Sequence, residues 1–130
     1  MFYSKPITIP AQTLESDPIE KYLPLGLGTI TRWFIGFPPG CAGLVHVTIY
    51  RFEHQILPEG EGQDLYWDGY MFVIEERYAL VDEPYEVKIV CWNNDDSYEH
   101  TIYIGVEIMP IPEETTESLL QRLLRALVGE

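Results

Sequence analysis

Short runs of β-branched and aromatic residues, each closed by Pro, Gly, Asn or Asp, recur every eight to twelve residues or so from the amino terminus to about residue 110. No helical periodicity separates them, which excludes the alternating strand and helix pattern of parallel α/β folds. A chain so punctuated can bury its apolar residues only by stacking antiparallel sheets.

The runs are legible one by one. Ile7 to Ile9 alternates and is closed by Pro10, as suits an edge or terminal strand. A short strand is expected over Ile19 to Leu23, and Gly26 and Gly28 then turn the chain into Thr29 to Phe37. In Leu44 to Arg51 the alternation puts Val45, Val47 and Ile49 on one face and His46, Thr48 and Tyr50 on the other, the first set being the core face. Gln55 to Leu57 precedes an irregular stretch from Pro58 to Asp68, and strands resume at Tyr70 to Ile74, Val87 to Trp92 and Thr101 to Met109. In the last, Ile102, Ile104, Val106 and Ile108 share a face, and its expected partner is the strand before it, joined through Asn93 to Ser97. About eight strands in one domain over residues 1–110 give an all-β, two-sheet antiparallel sandwich of the jelly-roll kind, whereas seven would fit an immunoglobulin-like one. The cysteine and tryptophan spacing of antibody domains is absent, because Trp92 follows directly after Cys91. Cys41 and Cys91 either pair or stand as two partly buried free thiols.

Residues 111–130 change character. Pro110 and Pro112 stop the last strand, and Glu113, Glu114, Thr115, Thr116 and Glu117 supply capping oxygens and negative charge for a helix start. Arg122 and Arg125 lie toward the other end, with Gly129 at the expected left-handed C-cap. Leu119, Leu120, Leu123, Leu124, Leu127 and Val128 form one wide apolar stripe. So short a helix is marginal alone, so the stripe either folds over its own sandwich or docks on another subunit or partner, while two arginines beside four glutamates make a weak basic face for a membrane surface.

Charge narrows the partners. Eight basic against 21 acidic side chains give a net charge of -13, which repels phosphate backbones and anionic lipid, so neither nucleic acid nor membrane is an expected partner. The first residues lack the pattern of a secretory signal, and a cytoplasmic site of synthesis is expected, compatible with later residence in a virion.

Candidate chemistry is sparse, and no enzymatic activity, metal or cofactor is expected. His46, His54 and His100 lack the close spacing by which a cupin converges its ligands on one metal. The acidic stretch Glu59 to Asp64 and the loop Asn93 to Asp96 share only composition with calcium loops. Neither a Gly-x-Ser-x-Gly elbow nor a P-loop occurs. Tyr66, Trp67 and Tyr70, in and beside the long loop, are candidate ligand-binding rings that could stack on sugars.

The stretch Phe37-Pro38-Pro39-Gly40-Cys41-Ala42-Gly43-Leu44-Val45-His46-Val47, with Trp92-Asn93-Asn94-Asp95-Asp96-Ser97-Tyr98-Glu99-His100-Thr101, resembles small uncharacterised β-sandwich (jelly-roll) proteins of phage-like and environmental genomes. The resemblance extends over roughly residues 5 to 110, leaves the helix outside, and brings no catalytic residues. It implies an assembly role in a virion, such as a capsid decoration or vertex subunit. A homo-oligomer is then expected, a trimer foremost, held by the leucine stripe and by an apolar amino-terminal arm, Met1, Phe2 and Tyr3. The other reading is a carbohydrate-binding module using the loop aromatics.

The strand register itself is testable. Val47→Asp should lower stability by several kcal/mol, as an unpaired core charge does, and a thermal melt within a degree or two of the parent would show the two faces exchanged.

Overall fold

The computed structural model describes residues 1–111 and 116–129. Among the described residues eight strands, β1 (Phe2–Ile9), β2 (Ile19–Pro24), β3 (Gly28–Phe37), β4 (Val45–Arg51), β5 (His54–Leu57), β6 (Tyr70–Leu80), β7 (Glu86–Asn93) and β8 (His100–Pro110), are followed by one helix, α1 (Thr116–Leu127). They form two four-stranded antiparallel sheets, ordered β1-β8-β3-β6 and β2-β7-β4-β5. Each strand pairs with its mirror in chain order: β1 with β8, β2 with β7, β3 with β6 and β4 with β5. The domain is thus one long hairpin, tipped at Phe52 and Glu53 and rolled into two layers, which is the jelly-roll topology.

The core lies between the layers. Val45, Val47 and Ile49 are fully buried with Ile102, Ile104 and Val106, as the alternation requires. Trp33 and Phe37 are the largest of the fully buried side chains. Cys41 and Cys91 are buried free thiols, and burial pushes the Cys91 thiol up to about 12.

Three expectations are corrected. β8 does not pair with β7: the Asn93 to Ser97 loop carries the chain from one sheet to the other, and β8 lies between β1 and β3. Met1 to Tyr3 are not a free arm. Phe2 and Tyr3 open β1, opposite Glu107 and Val106, and the Met1 ammonium donates to the Ile108 carbonyl at 2.7 Å. Pro6 is accommodated there because β1 is an edge strand. β6 continues to Leu80, since Glu75, Glu76 and Arg77 keep the alternation of exposed and half-buried positions while interrupting the apolar run.

The crossover is fixed by one buried amide. Asn93 Nδ2 donates to the carbonyls of Ile9, at 3.1 Å, and Tyr98, at 3.0 Å, while Oδ1 accepts from the Asp95 amide at 2.9 Å. Its backbone N–H donates to the Thr13 carbonyl at 3.0 Å. The passage from β1 to β2 and that from β7 to β8 are therefore locked to each other at one residue. A second staple is Arg51, buried at the hairpin tip, whose guanidinium donates to the carbonyls of Asp82, Pro84 and Glu86 and lies 3.9 Å over the Phe52 ring.

Asn93→Ala would leave one amide and two carbonyls of this junction without their partners. A loss of about 3 kcal/mol or more is expected from the desolvation penalty of such groups, read as a lower urea midpoint with unchanged slope.

Candidate functional site

Three surfaces merit description: the helix stripe, the long loop with its aromatics, and the acidic cleft beside it. In α1, Leu120 is 55%, Leu124 61% and Leu127 82% exposed, and Leu123 and Val128 are comparably open. The side chain of Leu119 lies outside the described residues, as do Glu113, Glu114 and Thr115 of the expected helix start. The stop is as the sequence requires: Gly129 takes φ +77°, and the Val128 and Gly129 amides donate to the carbonyls of Leu124 and Ala126. Of the amino-terminal residues, Met1 and Phe2 are exposed, with Phe2 edge-on to Phe34 at 5.5 Å on the outer face of its sheet, whereas Tyr3 turns inward and packs against the core.

The loop from Pro58 to Asp68 is fastened along its length. Gln55 Nε2 donates to the carbonyls of Pro58, Gly60 and Gln63, and Leu65 exchanges two 2.9 Å backbone bonds with Val47. The Asp64 carboxylate meets His46 Nδ1 at 2.5 Å. His46 stands opposite Trp92 across the ladder, and the rings stack 5.2 Å apart and 5° from parallel, with Tyr66 against the imidazole at 5.1 Å. Asp68 accepts from the amides of Gly40 and Ala42, and these bonds, that of Ala42 first, hold its carboxyl below the usual range. The turn it secures needs positive φ at Gly40, Ala42 and Gly43, which explains its glycines.

The candidate ligand rings are exposed but do not form one platform. Tyr66 lies on the β4 side against His46, while Tyr70 is edge-on to Phe72 at 5.0 Å and borders a groove of about 380 Å³ with Gly36, Pro38, Met71, Thr101 and Tyr103. Trp67, 55% exposed, has no ring contact among the described residues. A cleft of about 460 Å³ opens on the outer face of β2, β7 and β4, lined among others by Glu15, Glu20, Tyr50, Glu53, Gln63 and Lys88. Lys88 is 3.9 Å from Glu20 and 5.4 Å from the Tyr50 ring centre.

The histidines are apart. His46 is held by Asp64, His100 by Asp95, and His54 is exposed. Among the described residues no three His, Cys, Asp or Glu side chains come together as a metal site would need. The Asn93 to Ser97 loop is a capped turn: Asp95 Oδ1 accepts from the Ser97 amide at 2.9 Å and the Tyr98 amide at 3.1 Å, and Oδ2 is 2.8 Å from His100 Nε2. Sequence reasoning missed this network, the Gln55 clamp and the Arg51 staple; a polar residue inside an otherwise apolar strand was the available signal.

No protein-family model and no curated protein matches the chain. No helix among the described residues is long and apolar enough to cross a membrane.

Acid should undo the Asp95 turn. The bond from His100, followed by that from the Ser97 amide, holds the carboxyl below its ordinary value, against the opposing effect of desolvation. Its contribution is therefore complete above the unfolded carboxylate range, near about pH 4, and is lost as pH falls through the folded value. Asp95→Asn should be less stable than the parent at neutral pH and flatter in its acid dependence, which urea melts down to about pH 3 would measure.

Proposed function

We infer that the chain is a non-enzymatic structural subunit that self-associates through α1, with the surface of a capsid or similar particle as the setting its resemblance implies. One observation carries this reading: the helix leaves Leu120, Leu123, Leu124, Leu127 and Val128 exposed while the sandwich has a closed core of its own. A 12-residue helix is marginal in water, and apolar packing must sustain it. Covering each of these leucines is worth roughly 1.5–3 kcal/mol before ordering entropy is subtracted. The spacing i, i+3, i+4, i+7, i+8 makes a stripe wider than the seam of a two-stranded coil, and a helix flanked by two neighbours, as in a trimer, uses that width.

Leu120→Glu with Leu124→Glu should lower the mass seen by light scattering while the sandwich keeps its cooperative melt. An unchanged mass with a lower melting temperature would place the stripe on its own sandwich. The reading would then move to a carbohydrate-binding module, for which the half-exposed rings of Tyr66, Trp67 and Tyr70 are the supporting feature.

A further inference from the structure

Two strands lack the alternation of a sheet with one wet face. Trp33-Phe34-Ile35-Gly36-Phe37 of β3 and Tyr70-Met71-Phe72-Val73-Ile74 of β6 are apolar at consecutive positions, the pattern of strands covered on both sides. Trp33, Ile35, Phe37, Phe72 and Ile74 belong to the core or pack against it, so the residues between them form a second apolar surface on the outer side of the β1-β8-β3-β6 sheet. There Phe34 stands opposite Val73 and Gly105, and Gly36 opposite Met71 and Tyr103. Phe2 lies across Gly105 and Met71 across Gly36, since a Cβ at these glycines would stand 2.8 Å from the Phe2 ring and 2.9 Å from the Met71 methyl. Phe2, Met71 and Val73 are 52%, 42% and 56% exposed. The row Glu107, Arg32 and Glu75 bounds this field at one end.

We propose that the field is the seat of α1 from a second copy of this chain, each copy giving its helix to one neighbour and receiving another's. The proposal rests on the reading of α1 as the element of self-association and names the surface it meets. Size selects a helix as the occupant. From the charged row to Phe37 the field runs about 17 Å along the strands and about 14 Å across the four of them. Twelve helical residues measure about 18 Å by 10 Å. The groove of about 380 Å³ over Gly36 offers a place for leucine side chains, and the width of the stripe fits a flat surface as well as it fits two flanking helices. Pairing the field with its own counterpart would cover only about 240 Å² a side, against the roughly 800 Å² per partner of a stable interface. It would also leave the leucines in water. A helix seated on the field covers both apolar surfaces at once, and in a closed ring every copy takes part in two such contacts. The copy's own helix does not fill the place, because stripe and field are open together.

Full-length protein with Met71→Glu and Val73→Glu, at exposed positions, should lose mass in light scattering as far as the Leu120→Glu and Leu124→Glu protein does, with its melt still cooperative. If the leucine changes lower the mass and the field changes do not, the helix reading stands and this proposal falls. If neither pair lowers it, both fall. Cross-linking reads the contact without relying on a loss. Val73→Cys and Leu124→Cys chains, one lengthened by a tag, are co-expressed and treated with a short bifunctional thiol reagent, the parent with its buried Cys41 and Cys91 serving as blank. A product joining the unlike chains is expected. Its absence overturns the proposal, with a Leu124→Cys chain joined only to its own kind marking a bundle of helices. A chain bearing both cysteines that closes only on itself, as a linked monomer, marks the helix folding onto its own sheet and overturns the proposal equally.

Discussion

Asn93 is the residue on which the two-layer arrangement depends. Without a side chain it would be the last position of β7, but its amide reaches back to the end of β1 and forward to the start of β8 in one fully buried spot. Its carbonyl oxygen caps the turn that carries the chain across. Both crossings at that end of the domain share this junction, so the spacing of the sheets there is set by hydrogen bonds as well as by the volume of the core. Asp95 and His100 extend the same network, with both side chains largely withdrawn from water. A buried polar cluster of this sort stabilises only when every member is satisfied, and here hydrogen bonds engage the amide, both carboxylate oxygens and one imidazole nitrogen.

At the opposite end Arg51 has a comparable place, with carbonyls as its partners in place of side chains. A guanidinium presents a fixed fork of donors, which suits it to collect the carbonyls of Asp82 and Pro84, between β6 and β7, together with that of Glu86 at the start of β7. The tip of the long hairpin is thereby tied to the segment between β6 and β7. Between these two polar junctions lies the apolar cluster of the core, so the sandwich is a predominantly apolar layer stapled at both ends.

Much of this was legible in the sequence and some of it was not, for identifiable reasons. Strand existence, the faces of β4 and β8, and the helix with its stop followed from periodicity and from turn residues, because each depends on neighbours in sequence. Partnership between strands does not. The Asn-rich loop before β8 has the composition of a hairpin turn, yet the same residues serve a crossing between sheets, since Asn and Asp cap either kind of turn through their side chains. Met1 to Tyr3 looked like an arm because their partner, β8, lies a whole domain away. The second half of β6 was hidden by consecutive charges, of which Glu75 and Arg77 stand on the solvent side and Glu76 at a half-buried position of this edge strand. Of the site residues, the leucine stripe was visible as a pattern, whereas the separation of Tyr66, in the loop against His46 of β4, from Tyr70, on β6 of the other sheet, was not, as it follows from a crossing located between them.

The nested pairing of strands has a bearing on how the chain is made. β4 and β5 are neighbours in sequence and can meet as soon as both exist, but every further pair joins an earlier strand to a later one. The outermost is the most delayed, with Met1 and Ile108 separated by 107 residues. A chain emerging from the ribosome thus holds β1 without its partner until nearly the whole domain has been synthesised, and Phe2 and Phe34 keep their open faces meanwhile. Closing so large a loop is slow relative to local contacts. The domain accordingly reaches its final form after synthesis has passed β8, and a message cut short before that strand would yield unpaired sheets in place of a smaller stable domain.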